Sequence, residues 1–80
     1  MEIKYSSHAV QRMVQRNVST QEVEFVLTDP DGTIKQSKDK YIFYKKMKLR
    51  KDNMIAAVVV RKKRKLCEVL TVLINFEVVK

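Results

Sequence analysis

Eighty residues give one domain with a modest core: a chain this short buries only about 60% of its unfolded surface, which excludes a deep, enclosed substrate cavity. Seventeen Lys and Arg against nine Asp and Glu leave a formal charge of +8, an excess that attracts polyanions such as nucleic acid or an acidic protein. One cysteine excludes an intrachain disulfide, and a single Gly and a single Pro exclude a low-complexity chain.

The chain opens on "EIKYS", a short and roughly alternating run that suits an edge strand. Ser6 or Ser7 then caps a helix predicted over Ser7–Arg16. Val10, Met13 and Val14 form its apolar side, while His8, Arg12 and Arg16 follow one another at intervals of four in a neighbouring polar stripe. "STQE" at 19–22 is a capping box that starts a second helix over Ser19–Thr28, with Val23, Val26 and Leu27 as its core face. "DPDG" at 29–32 ends that helix, since Pro30 disfavours helical geometry at Asp29 and Gly32 is free to take a positive φ. Two Asp in a turn are too few oxygen ligands for a calcium loop.

After Gly32 the pattern turns to β. "TIKQS", "KYIFYKK", "MIAAVVVRK" and "LCEVLTVLI" are rich in β-branched and aromatic residues and are separated at hairpin distances. The expectation is an α+β domain: a short N-terminal strand, two helices, then a four-stranded antiparallel sheet. "AAVVV" belongs in mid-sheet, with both helices on one face and a partly apolar surface on the other. Alternation sends Tyr41 and Phe43 to one face and Tyr44 to the other, and a ring left on an open face would suit stacking against single-stranded RNA.

The basic residues form two clusters. Lys45, Lys46, Lys48, Arg50 and Lys51 end one strand and fill the next connection, and Arg61, Lys62, Lys63, Arg64 and Lys65 sit where the last two strands turn. On a meander these clusters fall at different edges and frame the sheet, which suits an extended nucleic acid. The alternative is that charged hairpins keep a small apolar sheet soluble and unpaired.

His8, Arg12 and Arg16 have the residue types that metal-independent RNA cleavage requires. Imidazole serves as acid or base near neutral pH, and guanidinium groups hold the phosphate and its developing charge. The alternative is a helix-start histidine beside solvated arginines. Cys67, His8 and the scattered carboxylates lack the spacing of a zinc site, so neither metal nor cofactor is expected. "MEIKYSSHAV" lacks a signal-peptide core, and "CEVLTVLINFEVV" is too short and too interrupted by Glu68 and Glu77 to span a bilayer. A cytoplasmic protein with no membrane contact is expected.

The stretch "SSHAVQRMVQRNVSTQEVEFVL", with the late "VLTVL", resembles an uncharacterised bacterial domain family. That family's pattern falls here on Ser6, His8, Ala9, Arg12, Met13, Arg16 and Ser19, with Thr71 at a late Thr-Val. Asn17 stands where glycine is common, and Asn also tolerates positive φ. The family is distantly similar to toxins of the BrnT and RelE/ParE type. This resemblance implies a strand, two helices and an antiparallel sheet. It also implies a ribonuclease acting on RNA or the ribosome and an acidic antitoxin-like partner, although the ParE branch poisons gyrase instead. The function expected is a metal-independent endoribonuclease of a toxin–antitoxin pair, and the alternative is a non-catalytic nucleic-acid-binding or protein-interaction module.

Overall fold

The computed structural model describes residues 2–48, 54–63 and 66–77, the last two residues of the middle segment through their backbone alone. Arg50, Lys51, Arg64 and Lys65 lie outside the described residues. In chain order the elements are β1 (Glu2–Tyr5), α1 (Ser7–Gln15), α2 (Thr20–Thr28), β2 (Gly32–Lys35), β3 (Lys40–Lys46), β4 (Met54–Lys63) and β5 (Leu66–Leu73).

The α+β class agrees with the sequence, but the sheet is not the expected four-stranded antiparallel one. It has five strands in the order β1-β5-β4-β3-β2 and is mixed. Neighbours from β2 to β5 run antiparallel, whereas β1 pairs parallel with β5, Glu2 opposite Leu66 through Tyr5 opposite Val69. A parallel pair needs a long crossover, and the two helices and three strands between β1 and β5 supply it. Four residues of alternating sequence carry no information about that long-range partner.

Both helices cover one face of the sheet. Ala9, Met13, Val18, Val23, Val26 and Leu27 pack there on Ile55, Ala57, Val59, Cys67, Val69 and Val72. Tyr41 and Phe43 join this side, while Tyr44 packs on the other with Ile34, Ile42, Ala56, Val58, Leu70, Leu73 and Phe76. The division of the three aromatics follows the expected alternation.

Two local expectations are corrected. Val10 and Val14 are not core: they are 49% and 77% exposed, and the buried side of α1 is Ala9 and Met13. The turn angle places Arg12 and Arg16 beside that Ala9–Met13 stripe, and both are half-buried. Gly32 does not use positive φ. Its role is spatial, since an added Cβ would lie 2.0 Å from the Tyr44 hydroxyl. Asn17 does take the left-handed conformation between the helices, at φ 54°.

Candidate functional site

Helix α1 is fixed to the sheet by its own cap. Ser6 Oγ accepts from the Ala9 amide at 3.0 Å and donates to the Leu70 carbonyl at 3.0 Å. The Ser6 amide donates to the Val69 carbonyl at 3.0 Å, one step beyond the end of the β1–β5 pairing. Between Val58 and Val59 the β4–β5 register slips by one residue at Leu70, so the bulge and the cap meet at one place.

Arg16 reaches the same strand. Its guanidinium donates to the Val72 carbonyl, on the stretch of β5 that β1 leaves without a strand neighbour. Ala9 is fully buried between α1 and the sheet. Ser6 and Arg16 thus satisfy carbonyls that would otherwise form an open strand edge.

His8 and Arg12 remain at the surface. His8 is exposed, and Arg12 Nε donates to His8 Nε2 at 3.4 Å, a long contact. Arg12 also donates to Gln15 Oε1 at 2.9 Å. The three-residue row read from the sequence therefore divides: His8 and Arg12 touch each other, while Arg16 is held by the strand.

Among the described residues, the members of the two basic clusters sit toward opposite ends of β4. Lys45 lies opposite Ile55 and Arg61 lies opposite Cys67, six residues or about 20 Å further along β4. Lys45 is committed to folding: its ammonium lies 3.3 Å from Asp29 Oδ2, 3.5 Å from Asp31 Oδ1 and 4.6 Å from the Phe25 ring centroid. Asp31 is held below the usual carboxylate range, first by the Lys46 amide donating to it at 2.8 Å and then by the Lys45 charge. Lys46 and Lys48 are exposed, and the exposed Arg61 covers the Tyr41 ring at 4.8 Å. Lys62 and Lys63 are placed by backbone on β4.

An open groove of about 630 Å³ runs between the helices, lined by Tyr5, Val10, Met13, Val14 and the start of α2. His8 and Arg12 stand outside its lining. The Tyr5 hydroxyl is enclosed with no protein partner among the described residues, and burial followed by the Glu24 charge raises its pKa. Burial likewise pushes the Cys67 thiol up, as expected of a structural cysteine. Among the described residues no cluster of His, Cys, Asp and Glu is arranged to hold a metal, and no helix is long and apolar enough to cross a membrane.

Two features escaped the sequence reading. The link from Ser6 to Leu70 spans 64 positions and has no local signal. Phe25 had one: it falls opposite the Val23–Val26–Leu27 stripe and is 47% exposed.

Residues 5–74 match the family described as a domain of unknown function, DUF4258, and the chain belongs to it. No curated protein and no solved structure matches the chain.

Proposed function

We propose that this DUF4258 domain is an RNA-directed protein of the toxin–antitoxin kind that cleaves its substrate without a metal, with His8 as proton acceptor and Arg12 as phosphate ligand. One observation carries the reading. Of the opening motif's residues, Ser6 and Arg16 bind β5 carbonyls and Ala9 and Met13 are core, while the exposed His8 and the half-buried Arg12 touch each other at the surface of α1. Folding thus accounts for four of these residues, and the two left over are an imidazole and a guanidinium.

In the reaction, His8 Nε2 exchanges its weak contact with Arg12 for the 2′-hydroxyl and takes that proton. The 2′-oxygen attacks phosphorus, Arg12 holds the two non-bridging oxygens, and the departing 5′-oxygen takes a proton from solvent. The product is a 2′,3′-cyclic phosphate. The +8 charge supports a polyanionic substrate and, as regulator, an acidic polypeptide that competes for the same surface. Such a system belongs in the cytoplasm.

A second reading, a non-catalytic nucleic-acid-binding or protein-interaction module, is favoured by the position of His8 and Arg12 on an exposed helix face outside the interhelical groove. Cleavage assays on RNA, with and without ribosomes, separate the two. His8→Ala should leave fold and RNA affinity nearly unchanged and slow cleavage by about a hundredfold or more, with EDTA without effect. Arg12→Ala should lose binding as well as rate. An inactive parent protein under both conditions would leave the binding module as the better account.

A further inference from the structure

The two groups of cations toward the ends of β4 differ in the acids around them. Lys45, Lys46 and Lys48 share one surface with Glu22, Asp29 and Asp31, so three acids stand there against three lysines. At the other end Arg61 is exposed and joins no ion pair among the described residues. The fold also brings cations there from a distant segment. The Arg61 amide donates to the Asp39 carbonyl at 2.8 Å, which lays the turn between β2 and β3 against the end of β4. Lys38 sits in that turn and Lys35 at the end of β2, and both are exposed.

Register places Lys35 and Arg61 on the same face. Lys35 lies opposite Tyr41, whose ring is on the helix side with Phe43. Arg61, two residues beyond Val59 on β4, lies over that ring at 4.8 Å. A cation from β2 and a cation from β4 thus flank one aromatic ring on β3, about 10 Å apart across the sheet. Lys40 falls on the outer face with Ile42 and Tyr44 and takes no part. Glu2 and Glu68 are on that outer face too, since they alternate with Ile3 and Cys67 of the core. Glu24 acts on the Tyr5 hydroxyl from α2. The acid of the turn itself is Asp39, one carboxylate beside Lys35, Lys38 and Arg61, and it pairs with none of them.

We propose that Lys35, Lys38 and Arg61 form a phosphate track for single-stranded RNA, crossing the sheet from the β2–β3 turn to the end of β4. The track rests on the RNA-directed reading above but not on cleavage. The local excess of positive charge selects a polyanion. Among polyanions the contact of Arg61 with Tyr41 favours RNA: a guanidinium seated on a ring keeps its outer side open to a flat base while its N–H groups hold the adjacent phosphate. An acidic peptide supplies carboxylates and no base.

The test measures the salt dependence of binding for a fluorescein-labelled uridine decamer and for a labelled decaglutamate peptide of similar charge. The parent protein should prefer the uridine decamer. Lys35→Gln with Lys38→Gln should lower the slope of log affinity against log salt by about 1.4, and adding Arg61→Gln should bring the loss to about 2.1, at about 0.7 per contact. Lys46→Gln with Lys48→Gln removes as much charge as the first pair and should leave the slope near the parent's. Circular dichroism should match the parent in each variant, and the Lys35 and Lys38 pair tests the track even if Arg61→Gln unfolds the domain.

Equal losses of slope from the two lysine pairs would mean that net charge alone attracts RNA, and would overturn the track. A parent that binds the uridine decamer with a slope unaffected by Lys35, Lys38 and Arg61 overturns the track and leaves the RNA-directed reading standing. Decaglutamate binding as tight as the uridine decamer's, and lost in the same variants, assigns this surface to an acidic polypeptide instead. Failure of the parent to bind the uridine decamer overturns the track together with the RNA-directed reading.

Discussion

The guanidinium of Arg16 donates to the carbonyl of Val72, closing the part of β5 that extends past the end of β1. An arginine four residues beyond Arg12 is thus bonded to the sheet rather than to the His8–Arg12 pair on α1. Arg16→Ala should destabilise the domain by about 1–2 kcal/mol in urea unfolding, because a strand carbonyl loses a charged donor. Arg16→Lys should recover part of that loss. At temperatures where Arg16→Ala is folded, its cleavage rate should match the parent's, and a hundredfold loss there would return Arg16 to the reactive group.

The enclosed Tyr5 hydroxyl has no protein partner among the described residues. An unsatisfied buried donor costs about 1–3 kcal/mol, so Tyr5→Phe should leave stability unchanged or raise it by about 1 kcal/mol. A clear drop in the urea midpoint would show that the hydroxyl makes a stabilising contact.

Asp31 joins the α2–β2 turn to the end of β3 through the Lys46 amide and Lys45. Its folded pKa lies below the ordinary 3.8, so its contribution is fully present above the unfolded value and is lost as pH falls through the folded one. The stability difference between parent and Asp31→Asn should therefore be constant above about pH 5 and shrink in stronger acid. A difference that persists at the lowest folded pH would assign it to shape rather than charge.

The Tyr44 ring occupies the space that a side chain at Gly32 would need. Gly32→Ala places a methyl 2.0 Å from the Tyr44 hydroxyl and 2.2 Å from Cζ, and that ring also packs on Phe76 with centroids 5.7 Å apart. The substitution should cost about 1–3 kcal/mol, the usual range for overpacking. Combined with Tyr44→Leu it should cost much less than it does alone, and a double-mutant cycle with no coupling would refute the clash.

Local chemistry alone determined much of this protein. Ser19 and Glu22 form the capping box their spacing announces, and Val23, Val26 and Leu27 are buried together. "KYIFYKK" is strand β3 from end to end, with Tyr41 and Tyr44 on opposite faces. These features depend on periods of 3.6 and 2 and on caps that act over three residues, all written in adjacent letters. The row of His8, Arg12 and Arg16 was equally legible as a row.

Tertiary structure alone decided where each member of that row sits. The parallel pairing of β1 with β5 brings the start of α1 to a strand more than sixty residues away. That pairing fixes which side of α1 faces the sheet, turning Val10 and Val14 outward and Arg16 toward Val72. Helical periodicity groups side chains on a face without naming the partner of that face. The partner is set by burial and by strand carbonyls needing donors, and both arise only when distant segments meet.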